Sequence, residues 1–173
     1  MARMKVYTDR NSPAAARVTL SRMKNTVGTV PALAGVLAGS PNLLEAGTDF
    51  ARAFISGSLK PAECYFILLV ASREFGNEYC QNLVAQLASN TSLSASMIQA
   101  VRKRRTIRKK PFSILGPFVE AVVNKSGRVS DGDLETLRKA GYSEKQVLEI
   151  LMGVSVAWFW SSVGAAADLT SGE

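Results

Sequence analysis

From Tyr65 to Ala71 the chain runs Tyr-Phe-Ile-Leu-Leu-Val-Ala, a stretch that would be apolar on every side of a helix. Pro61 precedes it and Gly76 follows it, which are ordinary start and stop signals for a helix. A helix with no polar face must lie among other elements that cover it on all sides. The question for the rest of the chain is therefore what surrounds this one segment.

The surroundings read as further helices, with almost no strand signal. Ser12-Pro13 opens a helix that runs to about Val27 and stops at Gly28. Val30-Pro31-Ala32 opens a short one ending at Gly39. Ser40-Pro41 opens a third, with Leu44, Phe50 and Phe54 on its apolar stripe until Gly57. Asn77 is placed to cap the helix after Gly76, and Asn90 closes it; Ser94 or Ser96 starts the next. Pro111 begins a helix carrying Phe112, Leu115, Phe118, Val119 and Val122, with Gly116-Pro117 expected to interrupt its first turns. Ser130 with Asp133, and Ser143 with Gln146, are capping boxes for the last two helices, Gly141 ending the first of them. The predicted fold class is an all-α bundle.

The chain has 173 residues, 47% hydrophobic and 20% charged. That is globular composition, long enough to bury about 70% of the unfolded surface in one domain. We expect residues 1–57 to supply N-terminal helices and 58–173 the core. Met1 to Arg22 is mixed polar and alanine-rich, with no apolar stretch resembling a signal peptide. The chain has no histidine and two cysteines sixteen positions apart, which is neither a disulfide framework nor a metal-ligand spacing. No metal and no cofactor are expected, and a reducing cytoplasm is the expected compartment.

The segment Val70-Ala71-Ser72-Arg73-Glu74-Phe75-Gly76-Asn77-Glu78-Tyr79-Cys80-Gln81-Asn82-Leu83-Val84 resembles the active-site motif of the alkylhydroperoxidase AhpD-like (carboxymuconolactone decarboxylase) family. That motif is C-x-x-C-x-x-x-H at the start of a helix. Asn77 stands in place of the first cysteine, Cys80 matches the second, and Val84 replaces the histidine. The family's glutamate, twelve places before the first cysteine, falls on Tyr65. The stretches 127–134, 137–143 and 146–150 are also similar to the family's segment after the active-site helix, as are the Pro31 and Ser40-Pro41 regions. The resemblance implies an AhpD-like helical bundle and a relation to thiol-dependent hydroperoxide reductases.

In such enzymes, the resemblance implies, two thiols cycle between dithiol and disulfide while the histidine and glutamate manage the proton. A thiolate is the nucleophile, and a second thiol resolves the oxidised sulfur. Asn77 cannot resolve anything, and neither Val84 nor Tyr65 is a base at neutral pH. Cys80 retains only the favourable end of a helix dipole. We therefore expect a weak or inactive peroxidase, a member that binds a small molecule or a thiol partner through the same cleft. One alternative is an active antioxidant using Cys80 with an external thiol.

The residues themselves leave Cys80 open between a reactive thiol and a small buried hydrophobe, since Tyr79, Cys80, Leu83, Val84 and Leu87 share one apolar face. Cys64 is a candidate distant resolving partner. Tyr65 and Asn77 either shape a polar pocket or serve as core and cap.

The run Arg102-Lys103-Arg104-Arg105-Thr106-Ile107-Arg108-Lys109-Lys110 holds seven basic residues and no acidic one, as many charges as the formal net excess of +7. It reads as a solvated connection or as a polyanion-binding patch through Arg102, Lys103, Arg104, Arg105, Arg108, Lys109 and Lys110; no aromatic residue interleaves it for base stacking. From Ile150 to Ala167 there is no charge. That length touches the lower limit for a membrane span, yet serines, glycines and the family comparison favour a buried helix that joins copies of the chain. We expect a homo-oligomer through this helix, with Trp158, Phe159 and Trp160 as anchors, and no membrane.

Overall fold

The structure, a computed structural model, describes residues 2–169. Its helices are α1 (Ala14–Val27), α2 (Ala32–Leu37), α3 (Pro41–Ile55), α4 (Pro61–Glu74), α5 (Glu78–Ala88), α6 (Ala95–Arg102), α7 (Phe112–Asn124), α8 (Asp131–Lys139) and α9 (Glu144–Ala166). No strand occurs among the described residues.

Helix α4 is the centre that its all-round apolar sequence demands. It packs against α5, α6, α7 and α9, with a smaller contact to α3. Phe66, Ile67, Leu69, Val70 and Ala71 are wholly buried, and Tyr65 is only partly so. At the start of α4, Glu63 is buried and accepts hydrogen bonds from the Lys60 backbone N–H and from the Tyr142 hydroxyl, so its charge is not left unpartnered. The turn between α3 and α4 is tied to α9 by Glu149, which accepts from the Ser58 N–H at 3.0 Å and its hydroxyl at 2.9 Å.

The N-terminal helices form a smaller cluster. Ala16, Leu20, Ala34, Leu37 and Leu44 pack together and close onto Phe159, Trp160 and Val163 of α9. The long last helix thus serves both clusters, packing against α2, α3, α4, α5 and α7. It is long and apolar enough to cross a membrane by length and composition, and 39% of its apolar window is buried, on the face turned to the bundle.

The capping boxes at Ser130 and Ser143 form, and Gly28 and Gly141 end their helices with φ of +87° and +92°. Three expectations are corrected. Pro13, with an extended ψ, caps α1 in place of Ser12, whose hydroxyl is buried without a partner. Phe50 is 37% exposed, because the buried stripe of α3 runs through Leu44, Gly47 and Phe54 and leaves Phe50 at its edge. Helix α7 continues through Gly116-Pro117: the proline removes one hydrogen bond, and burial of Phe112, Leu115, Phe118, Val119 and Val122 outweighs it.

Candidate functional site: an apolar cavity beside Cys80

The site is built at the turn from α4 to α5. Gly76 takes φ +68°, which lets the chain reverse, and Asn77 begins the next helix. The Asn77 Oδ1 accepts from the Cys80 backbone N–H at 2.8 Å, and its Nδ2 donates to the Ser161 carbonyl of α9 at 2.9 Å. Both halves of the amide are therefore used structurally. A side chain on Gly164 would begin 3.0 Å from Asn77 Nδ2, so α9 passes close over this cap and a larger residue would press on the amide.

Three of the four positions carried by the motif resemblance meet in one cavity of about 180 Å³. Tyr65, Leu68 and Ser72 reach it from α4, at the i, i+3, i+7 spacing of one helix face. Cys80, Leu83, Val84 and Leu87 reach it from α5, and Val156, Ala157 and Trp160 from α9. Met23, Pro31 and Leu33 close it from the N-terminal helices. Asn77 is not part of the wall. A polar pocket shared by Tyr65 and Asn77 is accordingly not what forms: the amide is consumed by capping and by α9, and the walls are almost wholly apolar.

Cys80 is 3% exposed, and burial pushes its thiol up to about 11, with the Ser161 hydroxyl opposing only weakly. That hydroxyl is itself buried without a hydrogen-bond partner at ordinary distance. The dipole of α5 is outweighed by desolvation. Cys64 is wholly buried outside the cavity wall, its thiol directed to the Leu59 carbonyl and likewise raised to about 11. Both cysteines are free. The Tyr65 hydroxyl, also raised by burial, makes no hydrogen bond among the described residues. Trp160 has its indole N–H buried without a partner. Sequence reasoning placed Trp160 at an interface or core and missed it as a cavity wall, because nothing local in the sequence brings α9 to α5. The Tyr79 hydroxyl turns aside and accepts from the Leu33 N–H at 3.2 Å.

The opposite face of α4 carries a charged cluster. Arg73, which is buried, donates to the Val101 carbonyl at 2.9 Å and pairs with Glu74 and Glu120. Glu74, also buried at its carboxylate, receives Arg104 at 2.8 Å and Asn124 at 3.3 Å. Against the effect of burial, the Arg73 guanidinium above all, with Asn124 and Arg104, holds its carboxyl below the usual range. Arg104, at φ +50°, is the anchored member of the basic run. Arg102, Lys103, Arg105, Arg108, Lys109 and Lys110 make no ion pair among the described residues. No cluster of three or more His, Cys, Asp or Glu suited to a metal occurs among the described residues.

With this geometry in hand, the class of architecture is clear: an all-helical bundle whose central helix and following cap build a cleft around one cysteine. It is the AhpD-like fold. The chain superposes on a peroxidase-related protein with an alkylhydroperoxidase AhpD core from Ralstonia eutropha with a TM-score of 0.87, at 17% identity over 98% of this chain and 91% of that one. An uncharacterized peroxidase-related protein from Silicibacter sp. is similar at a TM-score of 0.84, with 16% identity over 94% and 90% of the two chains. A cysteine-to-alanine variant of the debrominase Bmp8, in complex with 2,3,4-tribromopyrrole, is similar at a TM-score of 0.78, with 17% identity over 91% and 85%. No protein-family model matches the sequence, and no curated protein is significantly similar to it.

Proposed function

We propose that this chain is an AhpD-like protein that uses its cleft for binding and has given up peroxide reduction. The observation that carries this is the wall of the Cys80 cavity: apolar, without a base, with one thiol held near 11 and no second thiol beside it. At pH 7 a thiol with that pKa is ionised to roughly one part in 10⁴. Loss of a general base alone commonly costs about 10²–10⁴-fold in rate. An active antioxidant that relies on Cys80 and an external thiol would have to generate its thiolate against this environment.

The ligand that suits the walls is a compact, neutral, largely apolar ring. The free Tyr65 hydroxyl can accept from a ring N–H, while a charged ligand would lose its hydration for nothing. The debrominase with the same fold holds a small halogenated ring, 2,3,4-tribromopyrrole. The same proposal includes self-association through the exposed face of α9, and a reducing cytoplasm that suits two free thiols.

Two measurements test it. Titration with tribromopyrrole should quench tryptophan fluorescence saturably, with Val84→Phe, which fills the cavity, abolishing the response while helical content stays. Turnover of hydroperoxide with a dithiol reductant should be negligible for the unaltered chain and should rise in Tyr65→Glu/Asn77→Cys/Val84→His. Comparable turnover by both proteins would sink the proposal.

A further inference from the structure

We propose a second ligand site, for a small organic monocarboxylate, under the basic run on the face of α4 opposite Cys80. A separate cavity of about 330 Å³ opens there, between α4, the segment after α6 and the first turns of α7. Phe112, Ile107 and Pro117 give it an apolar side. Arg104, Arg105, Thr106 and Ser113 give it a polar one, with Arg73 and Glu120 at the same wall.

The charges at this wall do not cancel. Arg73 and Arg104 pair with the two carboxylates of Glu74 and Glu120, and Arg105 beside them leaves one positive charge over. Arg73 and Arg104 are already committed to those carboxylates. Arg105 is not: it makes no ion pair among the described residues, and neither do the neighbouring Arg108, Lys109 and Lys110. The hydroxyls of Thr106 and Ser113 make no hydrogen bond among the described residues either. The site thus offers, at its exposed mouth, the Arg105 fork and the Thr106 hydroxyl, and further in the half-buried Ser113 hydroxyl and the positive end of α7, beside an apolar surface.

A monocarboxylate with an apolar body meets each of these needs. Its carboxylate takes the Arg105 fork and the hydroxyls, and its body lies against Phe112, Ile107 and Pro117. A polyanion would satisfy the exposed lysines and arginines outside the cavity but has nothing to place against the apolar side. A neutral ligand would leave Arg105 unmatched. Buried Arg73, bonded to the Val101 carbonyl, to Glu74 and to the half-exposed Glu120, ties α4 to α6 and α7, so the cavity is preformed and not made by the ligand.

The test is calorimetric titration of the full chain with benzoate, benzyl alcohol and a heparin fragment as probes. Benzoate should bind and benzyl alcohol should not. Arg105→Gln should weaken benzoate by about tenfold or more, the loss of one charge-assisted hydrogen-bonded pair. Arg105→Lys should recover part of it, and far-ultraviolet circular dichroism should be the same for all three proteins. Equal binding of benzoate and benzyl alcohol, or an Arg105→Gln variant that binds benzoate as well as the unaltered chain, would overturn the proposal. So would binding of heparin alone, which would make the run a polyanion surface.

Discussion

A buried thiol stabilises the fold only while it keeps its proton. Cys64 and Cys80 each move from an ordinary value of 9.0 to about 11 through burial. Their neutral forms are favoured in the folded chain, so their contribution is complete below pH 9 and is lost as pH rises through 11. Over that interval the folded state binds more protons than the unfolded one, and stability falls with pH. By pH 10 the loss is on the order of 1 kcal/mol per thiol. Urea unfolding at pH 8 and pH 10 should show the fall, and replacing both cysteines by alanine should make it smaller, the raised hydroxyls of Tyr65, Tyr79 and Tyr142 keeping a remainder. An unchanged slope in that double variant would mean that the thiols are not desolvated as described. At the same scale, Asn77→Ala removes the cap of α5 and the bond from its amide to the Ser161 carbonyl of α9. A cost of about 2–3 kcal/mol is expected from denaturant midpoints. Of these residues, the capping role of Asn77 was legible in the sequence, because a cap is decided within three residues. Its second bond was not, because Ser161 is 84 positions away.

Elements show the same division between local and distant causes. Gly28, Gly76 and Gly141 stop helices where the sequence places them, and both serine capping boxes close, since each needs only its own neighbours. The buried Arg73 had no such sign, for its partners Val101 and Glu120 lie 28 and 47 residues on. Glycine inside α9 is a further case. Gly153 reads as a weakness in a helix, yet an added Cβ would come within 2.5 Å of Phe54 Cζ and 3.0 Å of Ile67 Cγ2. The glycine is what lets α9 lie against α3 and α4. Gly153→Ala should therefore destabilise the bundle, by about 1–3 kcal/mol of overpacking, despite the better helix propensity of alanine. Thermal unfolding checks the sign. A rise in melting temperature would show that Phe54 yields easily and that the packing there is loose.

For the whole molecule, the unresolved demand is the outer face of α9. Burial of its inner face against α4 leaves Leu148 67% and Trp158 58% exposed, on the side away from both clusters. Trp158 stands between two apolar depressions. One is lined by Met4, Leu43 and Phe159, the other by Phe75, Val122 and Leu151. A tryptophan flanked by shallow apolar hollows is costly to leave in water and is well shaped to enter a hollow on a second copy. The charge-free length of the helix made a partner-seeking face visible in the sequence; which side it would be was decided only when α4 claimed the other. We expect sedimentation at micromolar concentration to give an assembly larger than one chain. Trp158→Glu should shift it to the monomer, because a carboxylate cannot be desolvated there without a partner. The substitution lies on the exposed face, so helical content should persist. A monomeric unaltered chain, or an assembly indifferent to the charge at 158, would refute association through α9.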